Sequence, residues 1–137
     1  MKNSKMQMSF LAEPNDANYS GNVHGGKVMK WIDEIGYALS VNFTKKYCVT
    51  KFVDDIEFLL PIHIGDLVKL NAEVIKVGKT SLRIKVIVKS MNLIQNKEKR
   101  NCECFIVFVT VDKREIRFRL INVNLFKGLI HNTSISF

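Results

Sequence analysis

Residues 25–45 read Gly-Gly-Lys-Val-Met-Lys-Trp-Ile-Asp-Glu-Ile-Gly-Tyr-Ala-Leu-Ser-Val-Asn-Phe-Thr-Lys. Their apolar positions recur at helical spacing. Val28, Ile32, Ile35 and Leu39 form one stripe, with Trp31, Ala38 and Asn42 along its edge. At about 1.5 Å per residue the predicted helix is roughly 30 Å long, enough to cross a whole sheet.

On either side the period changes. Residues 6–11 suit a short first strand, and residues 12–23 read as a loop rich in Pro, Asn, Asp, Ser and Gly. Residues 48–60 are strand-like, with Phe52, Ile56 and Phe58 expected on one face and Asp55 and Glu57 on the other; Pro61 ends the run. Residues 67–77 and 80–90 alternate apolar with polar, separated by a turn at Val77-Gly78-Lys79. Residues 92–101 read as a polar loop. Residues 102–111 are apolar on both faces, as expected of an interior strand or one in a subunit contact. Short turns between successive strands imply antiparallel neighbours. One long helix against such a sheet is an α+β layer architecture. The tail, residues 112–137, is basic and hard to read; Ile116, Phe118 and Leu120 alternate with charge and suit a further strand.

The chain has 137 residues, which suits a single domain over 1–137. Hydrophobic residues make up 47%, which argues against disorder. No apolar run approaches the roughly 20 residues of a membrane span, so no membrane insertion is expected. The basic N-terminus leads into no apolar h-region, so a signal peptide is not expected. The cysteines, Cys48, Cys102 and Cys104, are odd in number and complete no metal-binding cluster. They read as free thiols in a reducing cytoplasm. The net charge is +8. No dense basic helix or basic-aromatic interleaving accompanies it, which excludes nucleic acid as the favoured partner. A phosphate-bearing small molecule such as coenzyme A fits the charge as well.

Chemistry concentrates where the helix begins. Gly25-Gly26 lets another group approach the backbone closely, or merely permits a tight turn into the helix. The first helical N–H groups lack internal partners and suit a carbonyl oxygen becoming an oxyanion. On a helical wheel Asp33 lies about 140° from Val28, at the edge of the apolar stripe, whereas Glu34 points to solvent. Partial burial makes a carboxylate a better base. Asn22 is suited to capping the helix or to donating from its amide, and His24 precedes the glycines.

The segment Pro14 to Gly26, continued by Met29-Lys30-Trp31-Ile32-Asp33-Glu34, closely resembles the acyl-CoA thioesterases of the hotdog superfamily, the YciA-type enzymes and cytosolic acyl-CoA hydrolases. Val53 to Pro61, Gly65-Asp66 and Gly78-Lys79-Thr80-Ser81-Leu82 support the resemblance, which covers about residues 6–111. It implies a hotdog fold, an antiparallel sheet wrapped around one long central helix, and hydrolysis of acyl-CoA to free fatty acid and coenzyme A. It implies Asp33 as the catalytic carboxylate, Asn22 as the catalytic asparagine and Gly26 as the oxyanion N–H. Gly25 and His24 then lie beside the substrate, and Lys79, Thr80 and Ser81 beside coenzyme A. Arg83 and Lys85 are further candidates for its phosphates. The resemblance also implies a site shared across a dimer, with Asn22 from the facing subunit, and assembly into trimers of dimers. Coenzyme A is part of the substrate; no separate cofactor or metal is expected.

Two other readings are open. A hotdog dehydratase of hydroxyacyl thioesters has a proline-containing turn after its histidine, whereas His24 is followed by two glycines. A non-catalytic acyl-CoA-binding module needs a partner domain, and no helix-turn-helix segment is present here.

Overall fold

A computed structural model describes residues 3–111. The strands are β1 (Lys5–Leu11), β2 (Tyr47–Phe58), β3 (Leu67–Val77), β4 (Ser81–Asn92) and β5 (Lys97–Val111); the helix, α1, spans Gly25–Thr44. All strand pairs are antiparallel, and the sheet order is β1-β3-β4-β5-β2. Helix α1 lies on one face and touches all five strands. The α+β expectation is met. The readings placed on the tail, including a strand near residue 116, lie outside the described residues.

Amphipathicity positions the helix. Val28, Ile32, Ile35 and Leu39 are all at most 4% exposed and meet the inward side chains of the sheet, among them Leu70, Ile84, Val86 and Ile106. Burying one such side chain stabilises the fold by about 1.5–3 kcal/mol. Trp31 sits at the rim of this core, edge-on to Phe10 with ring centroids 4.7 Å apart. Gly36 brings the helix onto β5: a Cβ there would stand 2.6 Å from Phe108 Cε2. The helix stops at Lys45, which adopts φ 58° and returns its N–H to the Val41 carbonyl at 2.7 Å.

Two strand readings need correction. In β2 the expected faces do not persist: register shifts fall between Thr50 and Phe52 and between Asp54 and Glu57, and Asp55 has φ 48°. Each bulge inserts a residue and reverses the alternation. Phe52, opposite Val107, is turned away from the helix side and is 44% exposed; the second bulge returns Phe58, opposite Cys102, to the helix side, where it lines an open cavity and is 53% exposed. The polar loop expected at 92–101 shrinks to a turn, because 97–101 extend β5. Their charges are matched across the ladder: Glu98 lies 3.3 Å from Lys69 Nζ and 3.6 Å from Lys89 Nζ. Asn92 closes that turn by accepting from the Ile94 and Gln95 N–H groups, each at 3.0 Å.

Candidate functional site

The loop before α1 is held from both sides. Asp16 is 9% exposed; its carboxylate accepts from the Glu13 N–H at 2.8 Å and lies 3.6 Å from Lys27 Nζ. Its carbonyl accepts from the His24 N–H at 2.7 Å. On the other side Val23 N–H donates to the Ile62 carbonyl at 2.9 Å, and Asn22 Oδ1 meets His63 Nδ1 at 3.0 Å. A net bond of this kind contributes about 1 kcal/mol, so the loop is a defined platform.

Asn18 is the centre of a tight turn on that platform. Its Oδ1 accepts from Ser20 N–H (2.9 Å), Ser20 Oγ (2.7 Å) and Asn22 N–H (3.2 Å). The fixed oxygen aims the opposite end of the amide, a pair of N–H donors, away from the turn. Gly21, at φ +84°, makes the turn sterically accessible.

The helix cap is His24, not Asn22 as the sequence suggested. His24 Nδ1 accepts from the Gly26 N–H at 2.8 Å, and the His24 carbonyl accepts from Lys27 and Val28 N–H. Asn22 falls two residues too early and turns towards His63 instead. Space around Gly25 is open: a Cβ there would meet nothing within 4 Å.

Asp33 is half-buried and Glu34 exposed, as the helical wheel indicated. Glu34 pairs with Lys30 one turn back, at 3.8 Å. Asp33 instead faces the sheet, where Thr50 Oγ1 donates to its Oδ1 at 2.6 Å. Thr50, 4% exposed on β2, was not anticipated from the sequence. The hydroxyl fixes one carboxylate oxygen and leaves the other open to a proton donor.

A cavity of about 270 Å³ opens beside the helix N-terminus, lined by Val23, Gly25, Val28, Phe58, Ile62 and Cys102 among others. Its lining is largely apolar. Asn101, buried at its edge, donates from Nδ2 to the Leu60 and Pro61 carbonyls at 3.2 and 3.0 Å and so holds the segment after β2 in place.

The expected site residues do not all converge within one chain. Asp33 lies seven residues along the helix from Gly26, about 10 Å at 1.5 Å per residue. Lys79, Thr80 and Ser81 stand at the far end of the sheet: Ser81 pairs with Val109, and Thr110 N–H donates to the Thr80 carbonyl at 2.9 Å. The cavity beside Gly25 reaches Cys102 on the same strand. Seven strand residues separate those levels, about 23 Å at 3.3 Å per residue. Arg83 and Lys85 are engaged on the sheet, with Asp54 at 3.0 Å and Glu103 at 3.2 Å.

The described cysteines are free and buried. Burial, reinforced by the nearby Glu103 charge, pushes the Cys102 thiol up to about 11. Burial, then Cys102 and Glu103, push Cys104 up to about 12. Neither provides a thiolate nucleophile at neutral pH. Among the described residues no group of three or more His, Cys, Asp or Glu is placed to hold a metal ion. No helix among them is long and apolar enough to cross a membrane.

Residues 20–93 match the thioesterase superfamily. Protein VdlD of Helicobacter pylori is 30% identical over 109 residues, covering 80% of this chain and 63% of that protein. The chain thus spans less than two thirds of the length of that relative. A solved apo-hexameric acyl-CoA thioesterase superposes with a TM-score of 0.80 at 31% identity, over 82% of this chain and 72% of that one. The acyl-CoA hydrolase of Staphylococcus aureus, solved with butyryl coenzyme A and coenzyme A, gives 0.77 at 28% identity, over 83% and 70%. Three of its alanine variants have also been solved, at an asparagine, an aspartate and a threonine. The asparagine lies fifteen positions before the aspartate and the threonine seventeen after it.

Proposed function

Because the chain belongs to the thioesterase superfamily and has the hotdog fold of solved acyl-CoA thioesterases, we propose that it hydrolyses acyl-CoA thioesters to a carboxylic acid and coenzyme A. The observation that carries the reading is a spacing. Asn18 stands fifteen residues before Asp33 and Thr50 seventeen after it, the same intervals as the three residues replaced by alanine in the Staphylococcus aureus hydrolase. The hydrogen bond from Thr50 to Asp33 gives two of the three a physical link.

In this mechanism Asp33 takes a proton from a water that attacks the thioester carbonyl carbon. Thr50 holds one carboxylate oxygen, so the water meets the other. The asparagine role, expected at Asn22, passes to Asn18. What supports the change is the matching interval, together with the locked Asn18 Oδ1, which leaves the amide N–H groups to donate to the carbonyl or to the water. Asn22 faces His63 and supports the loop. The Gly26 N–H, at the positive end of the helix, receives the oxyanion. The apolar cavity beside Gly25 takes part of the acyl chain. Coenzyme A enters as part of the substrate, with Lys79, Thr80 and Ser81 of a neighbouring copy as candidates to hold it, and no separate cofactor takes part. We place the reaction in the cytoplasm.

The distances along the helix support a site built from two copies. Gly26 and Asp33 of one chain are too far apart to act on one carbonyl. A twofold-related partner would set one chain's helix start against the other chain's Asp33. The hexameric assembly of a solved relative is in line with this, and we propose a dimer assembling further into trimers of dimers.

The test is thiol release from acyl-CoAs of two to eighteen carbons, by the wild type and by Asp33→Ala. Release by the wild type and its loss in the variant support the reading. Tight acyl-CoA binding with no thiol released would leave a binding module in its place.

A further inference from the structure

The donor assigned to the oxyanion is not free in this structure. The Gly26 N–H is already donated to His24 Nδ1 at 2.8 Å. The imidazole also lies over the face of that glycine: a Cβ on Gly26 would be 3.0 Å from Nδ1 and 3.2 Å from Cε1. A carbonyl oxygen hydrogen-bonded to this N–H would occupy the space the ring nitrogen now fills. His24 is exposed, so its ring has room to leave. We infer that His24 is a competing acceptor for the oxyanion N–H, one that the substrate carbonyl must displace before hydrolysis. This inference rests on the thioesterase reading of the site.

The competition depends on the proton content of the ring. Nδ1 accepts only when it carries no proton, so the capped state holds the neutral imidazole with its hydrogen on Nε2. Protonating Nδ1 turns the acceptor into a donor, breaks the cap and frees the Gly26 N–H. The charged and titratable groups on the elements packed around this turn are Asp16 before it, Lys27 on α1, and His63 and Asp66 after β2. Asp16 and Lys27 are paired with each other at 3.6 Å. The Asp66 carboxylate accepts from the His63 N–H at 3.2 Å. The His24 ring is therefore the side chain in direct contact with the donor.

A cap and a competitor predict opposite results for two substitutions. His24→Ala removes the acceptor; His24→Asn supplies a permanent one that cannot be protonated away. For a competitor, kcat/KM of His24→Ala exceeds that of the wild type by about fivefold at pH 8, the weight of one net hydrogen bond. The ratio falls towards one at low pH, once the ring is protonated and the wild-type acceptor is lost as well. His24→Asn stays at or below the wild-type value at pH 8 and shows no such change of ratio. In the ligand-free protein the Gly26 amide resonance follows the protonation of His24.

For a purely structural cap, Ala lowers kcat/KM at pH 8, Asn restores it, and the Ala-to-wild-type ratio rises towards one at low pH, where the wild-type cap is broken as well; that outcome overturns the inference while leaving the thioesterase reading intact. Absence of thiol release by the wild type overturns both. Melting curves of the two variants separate loss of folding from loss of activity.

Discussion

Thr50 Oγ1 donates to Asp33 Oδ1 at 2.6 Å, joining the middle of the helix to edge strand β2. Thr50 is 4% exposed, so water competes poorly for this bond. It gives a half-buried helix carboxylate one fixed oxygen and leaves the other open.

Removing that hydroxyl should be costly for turnover. Thr50→Val is expected to lower kcat by about tenfold, in line with hydrogen bonds to charged groups. Thr50→Ser should restore most of the loss. Asp33→Asn should cost on the order of 10²–10⁴ in kcat, as expected for loss of a general base. Steady-state thiol release beside circular-dichroism melts checks all three; an unchanged kcat in Thr50→Val argues against the hydroxyl's role.

The two asparagines of the loop should behave differently. Asn18→Ala is expected to reduce kcat/KM by at least about tenfold, the scale of a lost oxyanion-type donor or of water positioning. Asn22→Ala removes only the contact with His63 and should stay within about threefold, a surface hydrogen bond's worth. The reverse ranking would return the catalytic role to Asn22.

Gly36 offers a test of helix packing away from the chemistry. A methyl group there would collide with the Phe108 ring at 2.6 Å. Gly36→Ala gains helix propensity of up to about 1 kcal/mol, but overpacking costs about 1–3 kcal/mol. We expect net destabilisation and a melting temperature lower by several degrees, since about 1 kcal/mol moves a domain of this size by roughly 4 °C. A melting temperature at or above the wild-type value would show that Phe108 yields readily.

The buried thiols set an alkaline limit. Cys102 and Cys104 are held at about 11 and about 12, above an ordinary value of 9.0. The unfolded chain therefore releases these protons first, and the stability tied to the protonated thiols is fully present below pH 9. It falls progressively as the pH rises from about 9 to about 12. Urea melts at pH 7.5, 9 and 10.5 should show a declining midpoint. Disulfide-exchange reagents at pH 8 should label these two residues only after unfolding.

Helix α1 and the two strands β3 and β4 were legible because their contacts obey a simple period: Val28, Ile32, Ile35 and Leu39 at helical spacing, Leu82, Ile84, Val86 and Val88 at alternate positions. The faces of β2 were not legible, because two bulges interrupt the count and no residue type announces them. The start of β5 was misread since Lys97 to Asn101 are polar one by one; only the register with β4 shows Glu98 among the lysines that neutralise it. At the site, Asp33 could be read as half-buried from the wheel alone. Thr50 could not, since its role exists only once α1 has packed on β2. The cap went to His24 over Asn22 because chain direction at the loop exit, which composition does not encode, decides which side chain reaches the Gly26 N–H.

The separation of Gly26 from Asp33 along a single rigid helix carries a consequence for inactive mixtures. If each reaction centre draws its helix start from one chain and its carboxylate from another, Asp33→Ala and Asn18→Ala damage opposite halves. Two dead preparations, unfolded together and refolded, would then regain activity: in random twofold pairs about half are mixed, each with one undamaged centre of two, giving about one quarter of the wild-type rate. Protein that carries both substitutions in the same chain could donate nothing to such a mixture.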